Sequence, residues 1–454
     1  MSSQGTTPDP ADRPNGEGPR IIAASEILEV VRGQDSLRVI SRLERNGHEA
    51  YLVGGCVRDL LVGRVPKDFD VATSAHPRQI RRLFPRNSHI IGRRFRLVHI
   101  RYGQDSIIET ATFRAEPDGD DDSDDLLITE DNEYGSAGED ARRRDFTVNG
   151  LFLDPTRNRI IDYVGGLDDL EAGLLRTIGE PEVRMSEDPV RILRAIKFAT
   201  RLGFRIEDRT WAAMCATAPE LSRSAPPRVL EEILRLMRSG TALGAFRKLR
   251  RCGALRVVLP ELDQFIGPAE HPSEKEHERA EALWRLLEAL DADVHGGAEP
   301  STAVCVALLY HDLVEGQLDE SGGSTPELMQ AAAAVIEPLA ANSRLSRRDS
   351  SRARRIIVQQ RTFTRPLGKR FRPRQFCLNE DFPDALELFR LRSAARGQGW
   401  DIYEGWVERR RQALSMPAEE VESERGRSRR GGRKRGRRSR RGRRPGSDAE
   451  AGRA

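Results

Sequence analysis

The spacing of apolar positions divides the chain into two unlike parts. From Ser36, SLRVISRLERNGHEA sets Leu37, Ile40 and Leu43 on one stripe at helical spacing and stops near Gly47. AYLVGG then predicts a short strand, VRDLLVG a helix, and KDFDVAT an alternating strand. HPRQIRRLF predicts a helix with Pro77 in its first turn, and RLVHIRYG and SIIETATF predict two further strands. Beyond residue 140, TVNGLFLD and RIIDYVGG are strand-like. From about 167 to about 415 the period is helical throughout. The pattern therefore predicts an N-terminal α/β domain with a small mixed sheet, followed by an all-α body, without internal repeats.

Charge adds two segments that the apolar pattern does not mark. Residues 116–140 hold 12 acids among Gly and Ser, the composition of a mobile loop. Residues 425–446, RGRSRRGGRKRGRRSRRGRRPG, hold 13 Arg or Lys and no acid. Taking those 13 charges from the formal net charge of +4 leaves −9 on the rest of the chain. A polycation of this kind buries no apolar surface and stays disordered; its natural partner is a polyanion, because it releases counterions from phosphates. No apolar run approaches the ~18–20 residues of a membrane span, so no membrane partner is expected. The first 20 residues have no apolar core and are expected to be a disordered lead-in rather than a secretory signal. Five scattered cysteines, none in a Cys-x-x-Cys pair, suit a reducing, cytoplasmic setting without structural zinc.

The candidate chemistry centres on Lys67-Asp68-Phe69-Asp70. On a strand, residues two apart share a face with Cα atoms roughly 6.5–7 Å apart, so Asp68 and Asp70 can share hard divalent cations while Phe69 turns to the buried face. Alone, such a pair is as well explained by two solvated acids. The preceding Gly54-Gly55-Cys56-Val57-Arg58-Asp59 joins a strand to a helix: its glycines would let backbone N–H groups approach a phosphate, with Arg58 as a fixed cation. Glu109 lies among apolar residues in IIETATFR, where a third carboxylate at the same metal site would account for it; an exposed edge position is the bland alternative.

GGCVRDLLVGRVPKDFDVAT resembles the signature of the class II branch of the DNA polymerase β-like nucleotidyltransferases, which comprises bacterial poly(A) polymerases and tRNA CCA-adding enzymes. The resemblance implies a polymerase β-like head domain in which Asp68, Asp70 and Glu109 hold two magnesium ions. Gly54, Gly55, Arg58 and Arg114 would surround the nucleotide. Arg143-Arg144-Asp145-Phe146-Thr147-Val148-Asn149 is similar to the family's RRDFTxNA element, implying contacts from Arg144, Asp145 and Asn149 to the triphosphate and ribose; Asp145 would accept from the 2′-hydroxyl. Position 150 is Gly where that element usually has Ala, a change expected to be tolerated. In Ser186-Glu187-Asp188-Pro189-Val190-Arg191-Ile192-Leu193-Arg194, Ser186 is a candidate N-cap and Asp188, Arg191 and Arg194 fall three apart on one predicted helical face. The resemblance implies that this element reads the Watson–Crick edge of the incoming base.

The expected domains are a disordered lead-in at 1–20, a nucleotidyltransferase domain at 36–165 with its acidic loop at 116–140, and a helical nucleotide-recognition and RNA-binding neck at 166–260. A helical RNA-binding body at 261–415 and a disordered Arg-rich tail at 416–454 follow. GRRFRLVH at 92–99, the entry helix, Lys369-Arg370-Phe371 and FPDALELFRLRSAARG resemble the poly(A) polymerase side of the family. The implied activity is template-independent addition of AMP from ATP to RNA 3′ ends, largely without sequence preference, with RNA-turnover machinery as a candidate partner. Addition of CCA, or of A alone, to tRNA is the alternative. Two readings come from other classes: a phosphohydrolase using His311-Asp312, for which a helix-surface pair is the simpler account, and a catalytically dead RNA-binding protein.

Overall fold

The computed structural model describes residues 18–92, 97–103, 106–115, 134–318, 323–365, 368 and 371–415. The predicted tail, most of the acidic loop, the lead-in up to residue 17, residues 93–96 of GRRFRLVH and Lys369-Arg370 lie outside them. Among the described residues the head is built on an eight-stranded sheet. Its strands are β1 (Arg20–Ala23), β2 (Ala50–Val53), β3 (Val71–Thr73), β4 (Ser88–Ile91), β5 (Leu97–Tyr102), β6 (Ser106–Thr112), β7 (Leu151–Asp154) and β8 (Arg159–Asp162). They run β1-β8-β7-β2-β3-β6-β5-β4 across the sheet, and only β3 and β6 are parallel neighbours. A parallel pair needs a crossover; here it is the helix Pro77–Leu83 with the β4–β5 hairpin.

The predicted entry helix forms at Asp35–Arg45 and buries Val39, Ile40 and Leu43, with Leu37 only partly covered. It packs with Gly55–Leu61 and Pro77–Leu83 on one sheet face around Leu52, Val57, Val71, Phe84 and Ile108. The other face carries a smaller aromatic core in which Tyr51, Phe113 and Phe152 touch. Part of the expected acidic loop is ordered: Ala137–Arg142 is a helix, started by a reciprocal Ser136–Glu139 capping box. β1 and β4, at the two sheet edges, and the helix Ser25–Val31 were not anticipated by the apolar spacing.

Beyond Gly166 the elements among the described residues are helical apart from a two-residue parallel pair, Leu174–Leu175 with Arg205–Ile206. One continuous apolar core runs from Phe146 to Ala413, joining the neck helices to the body. Because Phe146 and Val148 belong to that core rather than to the sheet's, the turn Thr147–Asn149 is anchored in the neck.

Candidate nucleotidyl-transfer site

Asp70 lies one residue and Asp68 three residues before β3, in the segment that enters the strand. The Val53 N–H donates to the Asp70 carbonyl at 3.1 Å, which extends the β2 pairing through this residue. The alternation predicted from sequence holds: Phe69 is buried, Asp68 exposed and Asp70 between the two. In the parallel β3–β6 register Val71 faces Thr110, so Glu109 precedes Thr110 just as Asp70 precedes Val71. Asp70 and Glu109 thus occupy neighbouring positions beside the β3–β6 pair, with Asp68 two residues before Asp70. The consequence is visible in Asp70, whose carboxyl is pushed up to about 6 by burial, then by the charges of Glu109 and Asp68, with Arg144 opposing.

Carboxylate oxygens under mutual repulsion are the donor chemistry that a hard divalent cation suits. The geometry is not closed around one: among the described residues no three His, Cys, Asp or Glu converge tightly enough to hold a metal ion by themselves. Glu109 leans instead toward His99, with Oε1 3.3 Å from Nε2 across the β5–β6 pair.

The glycine turn takes a conformation that only glycine adopts readily. Gly54 has φ +70° and ψ −128°, and a Cβ there would stand 2.9 Å from Arg144 Nη1. The cation beside this turn is therefore Arg144. Asp140 holds it at 2.9 Å, and its guanidinium lies 5.2 Å over the Phe152 ring. Arg58, expected to serve as the phosphate-facing cation, is 2% exposed and turned inward. It donates to Asp59 at 2.6 and 2.9 Å and to Asn149, and lies 4.9 Å over Phe198. Asp59 also accepts from Arg201 at 2.9 Å. Arg58 thus ties the helix Gly55–Leu61 to the neck, and a bound anion would have to meet other cations. Arg114 forms an isolated bridge with Tyr134, and its N–H donates to Asp140 at 3.3 Å.

Asp145 continues this buried polar chain. Its Oδ1 accepts from Asn149 at 2.8 Å and from the Phe146 N–H at 2.9 Å; its Oδ2 accepts from Arg194 Nε at 2.9 Å. Burial disfavours the carboxylate, but Arg194 and these donors outweigh it and bring the group down to about 2. Asp145 and Arg194 are brought together, and both are already engaged.

The Asp188 element differs from the single helix expected. Ser186 caps nothing: it sits near the end of the helix Pro181–Glu187, and a second helix, Val190–Leu202, begins after Pro189. Asp188 is the break between them, with φ −147° and ψ 89°. Pro189 causes this, since it disfavours helical backbone at the residue before it. Asp188 accepts two hydrogen bonds from Arg228, at 2.9 and 3.3 Å, from the helix Pro226–Met237. Arg191 is buried against Glu187 at 2.8 Å and the Arg184 carbonyl. Arg228, Glu187 and the Phe198 ring under Arg58 and Arg194 were not foreseen. Neither was Arg184, which donates to the carbonyls of Arg143 and Arg144 at 2.6 and 2.9 Å. Glu187 lies inside the Ser186–Arg194 element, but that element does not mark its pairing with Arg191; Arg184, Phe198 and Arg228 lie outside the sequence motifs. His311 also departs from the surface pair expected, being 1% exposed.

Three domain models match this chain in order: the poly A polymerase head domain at residues 50–176, the probable RNA and SrmB-binding site of polymerase A at 203–266, and the polymerase A arginine-rich C-terminus at 322–444. Poly(A) polymerase I of Haemophilus influenzae is 43% identical over 256 residues, 55% of each chain. Poly(A) polymerase I of an Escherichia coli strain is 38% identical over 291 residues, 62% of this chain and 61% of its own. The CCA-adding enzyme of Geobacillus thermodenitrificans is 37% identical over 229 residues, 50% of this chain and 55% of its own. The match thus spans little more than half the length of these curated relatives. Among solved structures, the Bacillus stearothermophilus CCA-adding enzyme in complex with CTP superposes with a TM-score of 0.61 at 26% identity, covering 84% of this chain and 82% of that one. With the head fold, the helical body and three consecutive domain models in agreement, the chain belongs to the nucleotidyltransferase family that contains the bacterial poly(A) polymerases and the CCA-adding enzymes.

Proposed function

We propose that this chain extends RNA 3′ ends with AMP drawn from ATP, without a template, in the cytoplasm, and that the tails promote RNA turnover. What supports the chemistry is the adjacency of Asp70 and Glu109 at the parallel β3–β6 pair, with Asp68 two residues before Asp70, and the Asp70 carboxyl raised by burial and then by these two acids. In this reading the 3′-oxygen attacks the α-phosphorus of ATP, its proton passes to solvent, and the bond to the bridging oxygen of the β-phosphate breaks to release pyrophosphate. When bound at the three carboxylates, two magnesium ions would activate the hydroxyl and neutralise the triphosphate and leaving group. The chain's own part is positioning and charge. Gly54 and Gly55 keep the β2–helix turn bare of side chains, and Arg144 stands beside it as the cation for the triphosphate. Asn149 and Asp145 fix the turn on which the ribose would rest, and Arg194 keeps Asp145 ionised. Asp188 and Arg191 are assigned to the base, and Arg114 to the nucleotide's flank.

Poly(A) addition is favoured over CCA addition by the higher identity to poly(A) polymerases and the match to an arginine-rich C-terminus. The CCA alternative has its own support in the fold shared with a CTP-bound CCA-adding enzyme. Incubation with magnesium, an unstructured RNA and each nucleotide separately tests the choice. Long tails with ATP alone are expected. Addition confined to CCA on truncated tRNA would overturn the proposal.

A further inference from the structure

A polar cavity of about 560 Å³ in the helical body shares no lining residue with the carboxylate site; its walls come from the helices Thr302–Gly316, Arg347–Thr364, Phe382–Arg396 and Trp400–Ser415. That volume is in the range of small-molecule sites. One wall is the buried His311. Its Nδ1 is 2.8 Å from Asp312 Oδ1, and its Nε2 has no hydrogen-bond partner, the nearest carboxylate oxygen, on Glu315, being 3.9 Å away. Burial, with Arg392 nearby, brings the imidazole down to about 4, so the ring is neutral at physiological pH. Asp312 is held ionised by the Nδ1–H together with Arg392 and Arg396, against its own burial. The tautomer follows: Nδ1–H donates to Asp312, and Nε2 is left as a buried acceptor without a donor. A buried acceptor in that state costs free energy until something donates to it.

The charges lining the cavity are unevenly matched. Arg361 closes on Glu315 with Nε and Nη2 at 2.8 and 2.5 Å. Arg392 and Arg396 approach Asp312 only at 4.0 and 3.5 Å, and Arg392 reaches Gln360 at 3.4 Å. Both guanidiniums are therefore weakly engaged, although Arg392 is largely buried, and burial brings it down to about 10. Phe389 and Ile402 complete an apolar wall. The cavity offers two adjacent cations for an anion, one acceptor for a hydroxyl, and an apolar face for a ring.

We propose that this cavity is a ribonucleotide-binding subsite, with the phosphate against Arg392 and Arg396 and the ribose 2′-hydroxyl donating to His311 Nε2. The ribonucleotide is either a free mononucleotide or one residue of a bound RNA. The site is separate from the carboxylates and stands whether or not they transfer nucleotides.

The test uses the full chain with ¹⁵N-labelled imidazoles, which gives eight histidine ring systems to follow. The His311 resonance is assigned by its loss in His311→Gln or, where that buried variant does not fold, by its displacement in Arg396→Ala. The Arg396 side chain is half exposed, so its removal leaves the body folded. AMP, 2′-deoxyAMP and a short oligo(A) are titrated separately. AMP or oligo(A) is expected to shift the His311 Nε2 signal saturably. In Arg396→Ala the midpoint should rise roughly tenfold, the scale of one charge-assisted hydrogen bond. 2′-DeoxyAMP should bind more weakly by a similar factor. A shift with oligo(A) alone assigns the site to the RNA path, and a shift with AMP alone to a free mononucleotide. A His311 signal unmoved by both, a midpoint unchanged in Arg396→Ala, or, where AMP shifts the signal, a 2′-deoxyAMP titration identical to that of AMP overturns the proposal.

Discussion

Replacing Asp70 with Asn should abolish nucleotide addition and stabilise the metal-free protein. In the folded chain the Asp70 carboxyl is raised from its ordinary 3.8 to about 6, first by burial and then by Glu109 and Asp68. A carboxyl whose pKa is raised on folding binds its proton more tightly folded than unfolded. Ionising it therefore costs stability, and the loss accumulates as pH climbs from the unfolded value through the folded one. Fully ionised, the difference between 3.8 and about 6 corresponds to about 3 kcal/mol. This is an upper figure, because Asp70 keeps some contact with water. About half of the loss should be present at pH 5 and nearly all of it at pH 8.

Asn keeps the shape of the protonated side chain and has no charge to desolvate. Urea unfolding in EDTA, wild type against Asp70→Asn, should therefore show the variant more stable at pH 8 by up to about 3 kcal/mol, with a gap narrower by about half at pH 5. Magnesium should close the gap by stabilising the wild type alone, since a ligand that binds only the folded state adds to its stability. A variant less stable than the wild type in EDTA, or a gap independent of pH, would refute the reasoning. Either would mean that Asp70 is solvated or satisfied by a partner, and that the three acids do not repel one another as their placement implies.

Gly150→Ala is expected to destabilise by about 1–3 kcal/mol: its Cβ would stand 2.6 Å from Val164 Cγ2, and Val164→Ala should recover part of the loss in thermal or urea unfolding. The family's usual alanine is thus predicted to be poorly accepted here, because the neighbours have closed over the glycine. Arg228→Ala should raise the KM for ATP several-fold in steady-state assays by releasing Asp188, while changing stability by less than about 1 kcal/mol, since the ion pair is partly exposed; an unchanged KM would separate Asp188 from base binding. Deleting 425–446, with its 13 basic residues, should weaken RNA binding and flatten its dependence on salt while leaving ATP affinity nearly unchanged. Binding measured across a salt series checks this, and an unaltered slope would count against it.

How far the sequence could be read depended on how local the deciding interactions are. The strands at the sheet's centre were legible because alternation survives where one face is buried, and Phe69 between Asp68 and Asp70 is buried as that alternation requires. β1 was not, since RIIA is almost wholly exposed, and only its pairing with β8, about 140 residues away, makes it a strand. Part of the acidic loop was misjudged for the opposite reason: composition suggested a loop where the Ser136–Glu139 capping box starts a helix. The same distinction separates Arg58 from Arg144. Both stand in motifs that suggest phosphate contact, and sequence spacing treats them alike. What distinguishes them is distant: Asn149, Phe198 and Arg201 close over the Arg58–Asp59 pair, whereas Arg144 is held by the Asp140 carboxylate one helical turn back, with a long contact to the Asn149 carbonyl and the Phe152 ring beneath it, and the side chain stays partly exposed. A buried guanidinium must be fully partnered to be tolerated, so Arg58 is committed to joining the head to the neck. The triphosphate charge then falls to the cation beside the bare Gly54 turn. That division of labour makes opposite demands on the two arginines. Arg58→Lys should cost stability, because one ammonium cannot reproduce a fork of three donors to Asp59 and Asn149, while Arg144→Lys should weaken nucleotide binding and leave the fold intact. If both substitutions instead fell on catalysis alone, the buried chain from Asp59 to Arg194 would be part of the nucleotide site and not its foundation.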